Sequence, residues 1–185
     1  MNSFYLVCDS FCKQKKRDII YLKNKYSLVG IKAEFEAEGS SHNDIFLLRS
    51  ITNKSNTKLF VKIGGVEAIN DIKFLLNINV DGIIAPMVES RFAASKFLSF
   101  INKCNIGNKP NLTINIESKN AIENIYEIFS AIKNQVNDIT IGRTDLAASY
   151  FNNNIFPNSN FITKKIIDIS RIFKKNKIRV AVGGS

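Results

Sequence analysis

No apolar stretch in this 185-residue chain approaches the roughly 18 uninterrupted residues that a membrane-crossing helix requires. The N-terminus lacks a basic segment running into an apolar one with a small-residue cleavage site, so a secretory leader is not expected. Cysteine is scarce. Cys8, Cys12 and Cys104 form no complete set of pairs, and no histidine lies near Cys8 and Cys12 to complete a zinc site. Free thiols and a cytoplasmic location are the expectation. Long linkers are also missing: Lys103–Asn111 with Pro110 and Phe151–Asn160 with Pro157 are polar, turn-rich loops too short to separate two cores. A single domain over residues 1–185 follows.

Charge of one sign is in excess, at a net +10. The surplus lysines are scattered, however, and clusters such as Lys13–Arg17 and Lys174–Lys177 suit solvated helix faces or ends. No RNA-binding aromatic motif or helix-turn-helix pattern accompanies them, so nucleic acid is not the expected partner.

What is present is alternation. Apolar, β-branched runs of strand length occupy about Val29–Glu36, Leu59–Ile63, Gly82–Pro86, Leu112–Glu117, Asp138–Gly142 and Ile178–Val182. Helix-length amphipathic stretches lie between them, at His42–Thr52, Gly65–Ile78, Arg91–Asn102, Asn120–Lys133 and Phe161–Lys175. That order predicts a parallel α/β sheet. The strands do not read as cleanly alternating, as expected where both faces are covered. Before Tyr26, Phe4–Cys8 reads as a short strand and Lys13–Lys25 as a charged helix. A complete eight-fold barrel needs about 250 residues. The chain closes on the strand-like Arg179–Val182 and a Gly-Gly-Ser loop, so the expectation is a TIM-like barrel short of its last one or two β/α units.

Two acids stand where apolar strands run out: Glu117 after Leu112–Ile116, and Asp145 after Ile139–Thr144. Strand ends of a parallel barrel share one rim, so two such carboxylates can converge on a hard cation. An acid at a strand terminus is more often a helix cap or part of a solvated turn. Gly64-Gly65 and Gly183-Gly184 would allow a ligand close to bare backbone at the same rim, and tight turns explain them as readily.

The stretch Val29–Gly39, then Val61-Lys62-Ile63-Gly64-Gly65, Ala85-Pro86-Met87-Val88-Glu89-Ser90, Asn115-Ile116-Glu117-Ser118 and Ile141-Gly142-Arg143-Thr144-Asp145-Leu146, resembles the HpcH/HpaI aldolase and citrate lyase family in order and spacing. The resemblance covers about Val29 to Gly184. It implies a TIM-like barrel, a divalent cation (Mg²⁺ first, Mn²⁺ second), and a carbon–carbon lyase acting on a 2-keto acid or acyl-thioester through a metal-stabilised enolate. It also implies Glu117 and Asp145 as the metal ligands, Asn115, Thr144 and Glu89 at the substrate wall, and assembly into a homo-oligomer.

Some positions depart from the family pattern. Lys62 stands where an arginine usually clamps the substrate carboxylate, which keeps the charge and loses the planar fork. Asn115 replaces a frequent glutamine. Glu36-Ala37-Glu38-Gly39 resembles an Asp-Leu-Glu-His segment, but Gly39 fills the histidine position, and the lone His42 belongs to a helix start capped by Ser40 or Ser41. Glu36 or Glu38 is then the candidate base, and Lys62 or Arg143 the cation near the substrate carboxylate. With Lys32 and Glu34, these acids would share one strand face, where Lys32 must pair with an acid. Three readings follow: a metal-dependent lyase, a relic that keeps the metal carboxylates without turnover, and a basic nucleic-acid-binding domain.

Overall fold

The computed structural model describes residues 2–104 and 109–184, with side chains from residue 13 onward. A long helix α1 (Asn2–Tyr26) leads into β1 (Gly30–Glu34), α2 (His42–Lys54), β2 (Lys58–Lys62), α3 (Ile69–Asn77), β3 (Gly82–Ala85) and α4 (Arg91–Lys103). The chain continues with β4 (Asn111–Ile116), α5 (Lys119–Glu123), α6 (Ile125–Ile132), β5 (Asp138–Gly142), α7 (Arg143–Ala148), α8 (Asn160–Lys175) and β6 (Arg179–Gly183). The six strands form one parallel sheet in sequence order, curled as a half-barrel, and β1 does not pair with β6. Each of β1 to β5 is joined to the next strand through helix, as expected of crossovers in a parallel sheet.

Serines set the helix starts. Ser41 caps α2 in a reciprocal box with Asp44, while Ser90, Ser118 and Ser159 accept N–H bonds at the starts of α4, α5 and α8. The segment Phe4–Cys8, read above as a strand, belongs to α1. The stretch read as one helix over Asn120–Lys133 is divided at Asn124, whose Nδ2 donates to Glu89 O at 2.9 Å. Helix α3 begins later than Gly65, at Ile69, which leaves the Gly64-Gly65 turn free at the strand end. Cys104 is a free thiol; the side chains of Cys8 and Cys12, and part of the loop expected before Pro110, lie outside the described residues. Among the described residues no helix is long and apolar enough to cross a membrane.

Strand period corrects the reading of unalternating strands. On β1, β4 and β5 apolar and polar residues alternate, and on β2 the alternation is broken only by Phe60, whose ring lies on the concave side across Gly30 and Gly82. Leu59, Val61, Ile83, Ile114, Ile116, Ile139 and Ile141 point outward and are buried with Phe97, Ile128 and Phe173 from the helix layer. The alternate positions, on the concave side, carry Lys32, Glu34, Lys62, Thr113, Asn115, Asp138 and Thr140. A closed apolar barrel core would not be built this way; a polar interior is instead suited to water and ligand.

Candidate active site

The concave face collects its chemistry where the strands end. Glu117 is the first residue past β4, and parity with Asn115 turns its side chain inward, where it is only 4% exposed. It is not the helix cap: Ser118 next door performs that task for α5, accepting from Ala121 N at 3.1 Å. Glu117 Oε1 accepts from Met87 N at 3.0 Å, and Oε2 accepts from Asn115 Nδ2 at 3.1 Å. Each carboxylate oxygen is thereby oriented and retains a lone pair. Met87 reaches this position with a left-handed backbone, φ 49°, unusual for a residue with a side chain and a form of strain found at functional sites.

Gly142 supplies the space. A Cβ at that position would stand 2.6 Å from Glu117 Oε2 and 2.9 Å from Glu117 Cβ, so any side chain at the end of β5 would displace the carboxylate. Asp145 lies in the exposed first turn of α7, directly after β5. Burial raises the pKa of Glu117 above its ordinary value, and the charge of Asp145 raises it further. The Met87 N–H, the Lys62 charge and the Asn115 amide act in the opposite direction. Glu117 therefore feels both Asp145 and Lys62 across the concave face.

On the opposite flank, Glu34 and Lys62 are paired in register on β1 and β2. Lys62 Nζ lies 2.6 Å from Glu34 Oε2, and Lys32 Nζ bonds the other oxygen, Oε1. Burial alone would raise the pKa of Glu34, but the hydrogen bonds and charges of the two lysines outweigh it and hold the carboxyl below its ordinary value. The expected pairing of Lys32 with an acid is present. Strand β1 stops at Glu34, however, so Glu36 and Glu38 do not continue its inner face. Glu38 Oε2 accepts from Glu34 N at 3.1 Å and fastens the turn that Gly39 completes at φ 62°. Glu36 lies against Gly64, where a Cβ would be 2.8 Å from Glu36 Oε1. Glu36, Gly64, Gly65 and Asp71 line an open depression of about 560 Å³ at this end of the rim.

The remaining predicted residues are distributed around these two flanks. Arg143 donates from Nε to Gly183 O at 3.4 Å, from Nη1 to Asn158 Oδ1 at 2.6 Å, and from Nη2 to Gly184 O, so its guanidinium spans the end of β6. Thr144 lies against Gly184: a Cβ there would be 2.6 Å from Thr144 Oγ1, and Gly184 has φ 84°. What approaches the Gly183-Gly184 backbone in the structure is the first turn of α7. Glu89 is half-buried, and its carbonyl receives Asn124. His42 is the first residue of α2, with its ring 4.4 Å from that of Phe74 and Nε2 3.6 Å from Oδ1 of Asp71, a residue that lines the depression beside Gly64. Met87 and Gly142 escaped the reading of the sequence as site residues. Both stand inside the quoted motifs, but a backbone N–H and an absent Cβ leave no chemical signature in a residue type.

The donor set fits a hard divalent cation. Glu117 and Asp145 offer carboxylate oxygen, which suits Mg²⁺ with several waters retained. Asn115 adds a further sign. Its Nδ2 is fixed toward Glu117, which leaves Oδ1 buried without a partner, an acceptor that a cation's water could satisfy. Among the described residues no cluster of three or more His, Cys, Asp or Glu forms a protein-only metal cage.

A parallel half-barrel with buried acid, exposed acid and paired lysine at the carboxyl ends of its strands gathers these groups on the rim where enzymes built on parallel α/β barrels carry their active sites. The family model of HpcH/HpaI aldolase/citrate lyase matches residues 46–177, and the chain belongs to that family. An HpcH/HpaI aldolase/citrate lyase family protein from Burkholderia cenocepacia J2315 superposes with a TM-score of 0.76 at 11% identity, covering 90% of this chain and 75% of the other. The HpcH/HpaI aldolase from Desulfitobacterium hafniense DCB-2 gives 0.73 at 16%, covering 89% and 72%. The citrate synthase SbnG gives 0.73 at 16%, covering 91% and 73%. At these identities the superpositions establish the fold. No protein of curated function matches the chain significantly by sequence. Membership in an aldolase and citrate lyase family places the protein with enzymes acting on small carboxylate substrates.

Proposed function

We propose that this protein is a divalent-cation-dependent carbon–carbon lyase of the aldolase type, acting on a 2-keto acid or a related carboxylate. The observation that carries the reading is the buried Glu117 carboxylate, oriented by Met87 N and Asn115, with Asp145 in the turn that follows the neighbouring strand β5 and Lys62 on the same concave face. Glu117 and Asp145 would hold Mg²⁺, or Mn²⁺ in its place. When bound, the cation supplies electrostatic stabilisation for negative charge that develops as the carbon–carbon bond breaks.

The chain's own groups supply the rest. Lys62 anchors the substrate carboxylate from the β2 side, as a point charge without the fork of an arginine. Glu36, beside Gly64-Gly65, moves the proton at the open end of the rim, and Gly65, with nothing within 4 Å of a built Cβ, leaves its backbone open to ligand. Glu38 is committed to the backbone of Glu34, which favours Glu36 as the base. Arg143, held by the carbonyls of Gly183 and Gly184, serves by fixing α7 and hence Asp145. Thr144 and Glu89 complete the wall.

The test is turnover of pyruvate with a panel of aldehydes, and of the corresponding aldol products in reverse, with and without Mg²⁺ or Mn²⁺. Metal-dependent turnover that falls at least a thousandfold in Glu117→Ala is expected, from lost electrostatic stabilisation. A second reading has its own support, since Lys62 replaces the arginine, Gly39 replaces the histidine, and the Arg143 guanidinium is occupied. Cation binding by calorimetry without turnover on the whole panel would favour that relic. Self-association through the open sheet edges is part of the proposal, and light scattering reads it directly.

A further inference from the structure

We infer that Glu34 is a positioning residue that holds Lys62 in its anchoring pose and keeps it off Glu117. The inference rests on the reading of Lys62 as the carboxylate anchor, and it concerns a residue that precedes the segment matched by the family model. Glu34 is 7% exposed and divides its two oxygens between two lysines, Lys62 at 2.6 Å on Oε2 and Lys32 on Oε1. Carboxylate and ammonium stand at the same level of adjacent strands on the concave face.

The need for such a partner follows from lysine chemistry. An arginine fork fixes its own orientation on a carboxylate, whereas an ammonium on a four-carbon stem is a rotating point charge. Below Lys62 the space is filled: the ring of Phe60, two residues earlier on the same face, lies across Gly30 and Gly82, where a Cβ on Gly30 would be 2.8 Å from the ring. The Lys62 side chain, only 15% exposed, is bonded to Glu34 beside it, and across the same concave face stands the buried carboxylate of Glu117, on which the Lys62 charge acts. An ammonium drawn onto Glu117 would compete with a cation for the same oxygens. Glu34 prevents that by offering a bonded carboxylate, itself kept anionic by Lys32 as well as Lys62, and the three residues together keep one net positive charge on the concave face.

Glu34→Gln keeps the volume and removes the charge. Selective ¹³Cε-lysine labelling, with the Lys62 signal assigned by its loss in Lys62→Arg, should show a broad, immobilised Lys62 resonance in the unsubstituted protein and a sharpened, mobile one in Glu34→Gln. Calorimetry with Mn²⁺ alone should show a dissociation constant raised about fivefold or more. KM for the 2-keto acid should rise about tenfold while kcat changes by less than threefold, a split that a general loss of folded protein would not produce. Glu34→Asp, which keeps the charge on a shorter arm, should recover part of each effect and serves if Glu34→Gln fails to melt cooperatively. An unchanged Lys62 resonance together with an unchanged Mn²⁺ affinity overturns the inference. An unchanged KM in Lys62→Ala overturns the anchor reading instead, and the resonance and Mn²⁺ measurements decide the positioning role without any turnover.

Discussion

The two faces of one sheet are built on opposite rules. The outer face is an unbroken apolar layer, with Leu59, Val61, Ile83, Ile114, Ile116, Ile139 and Ile141 each at 0% exposure beneath helices that supply Phe97, Ile128 and Phe173. The concave face carries Lys32, Glu34, Lys62, Asn115, Glu117, Asp138 and Arg179 in bonded groups. Burial of apolar area stabilises the first at about 25 cal/mol per Å², whereas charges on the second must be paired to be tolerated at all. The difference teaches that the fold is held from outside, which leaves the inner face free to carry the reaction chemistry.

That contrast can be tested from its strongest point downward. Phe97→Ala empties the most buried part of the outer layer and should cost about 3–5 kcal/mol in chemical denaturation, with the remaining folded protein still able to bind cation. Gly142→Ala should cost less, roughly 1–3 kcal/mol of overpacking, yet weaken cation affinity by at least tenfold, because the new methyl displaces the Glu117 carboxylate. If Gly142→Ala binds as tightly as the unsubstituted protein, Glu117 is not held as described.

Glu34 predicts a pH signature. Its folded pKa lies below the ordinary 4.5, so its contribution to stability is fully present above that value and is lost as pH falls through the folded pKa. The difference in melting temperature between the unsubstituted protein and Glu34→Gln should thus be widest near neutrality and close in acid; a gap that widens in acid contradicts the pairing. The smallest effect belongs to Arg179→Ala. Arg179 donates to Asp138 at the lower end of the concave face, with its own side chain 75% exposed, and its loss should change stability by less than about 1 kcal/mol.

Much of this was legible in the residues. The order of the six strands and of the helices expected between them, and the placement of Glu117 and Lys62 at strand ends, follow from local pattern and appear in the structure, whereas Asp145 falls within the first turn of α7. The polar faces of Asn111-Leu112-Thr113-Ile114-Asn115 and Asp138-Ile139-Thr140-Ile141 are equally visible as strict alternation, which runs against the expectation that parallel strands are apolar on both sides. The strand assigned to Phe4–Cys8 failed for a different reason. Its apolar residues suit either state, and continuity with the charged helix that follows decides for α1.

Local sequence is enough to set the alternation of elements, the serine caps and the identity of the acids and lysines, because each rests on contacts within a few residues. Packing in three dimensions ties Lys62 to Glu34, commits Glu38 to a turn, closes Arg143 on the end of β6, and lets Met87 N and the bare Gly142 shape the Glu117 carboxylate. Those relations join strands and helices through space, and register and curl, which no single segment encodes, bring the partners within bonding distance.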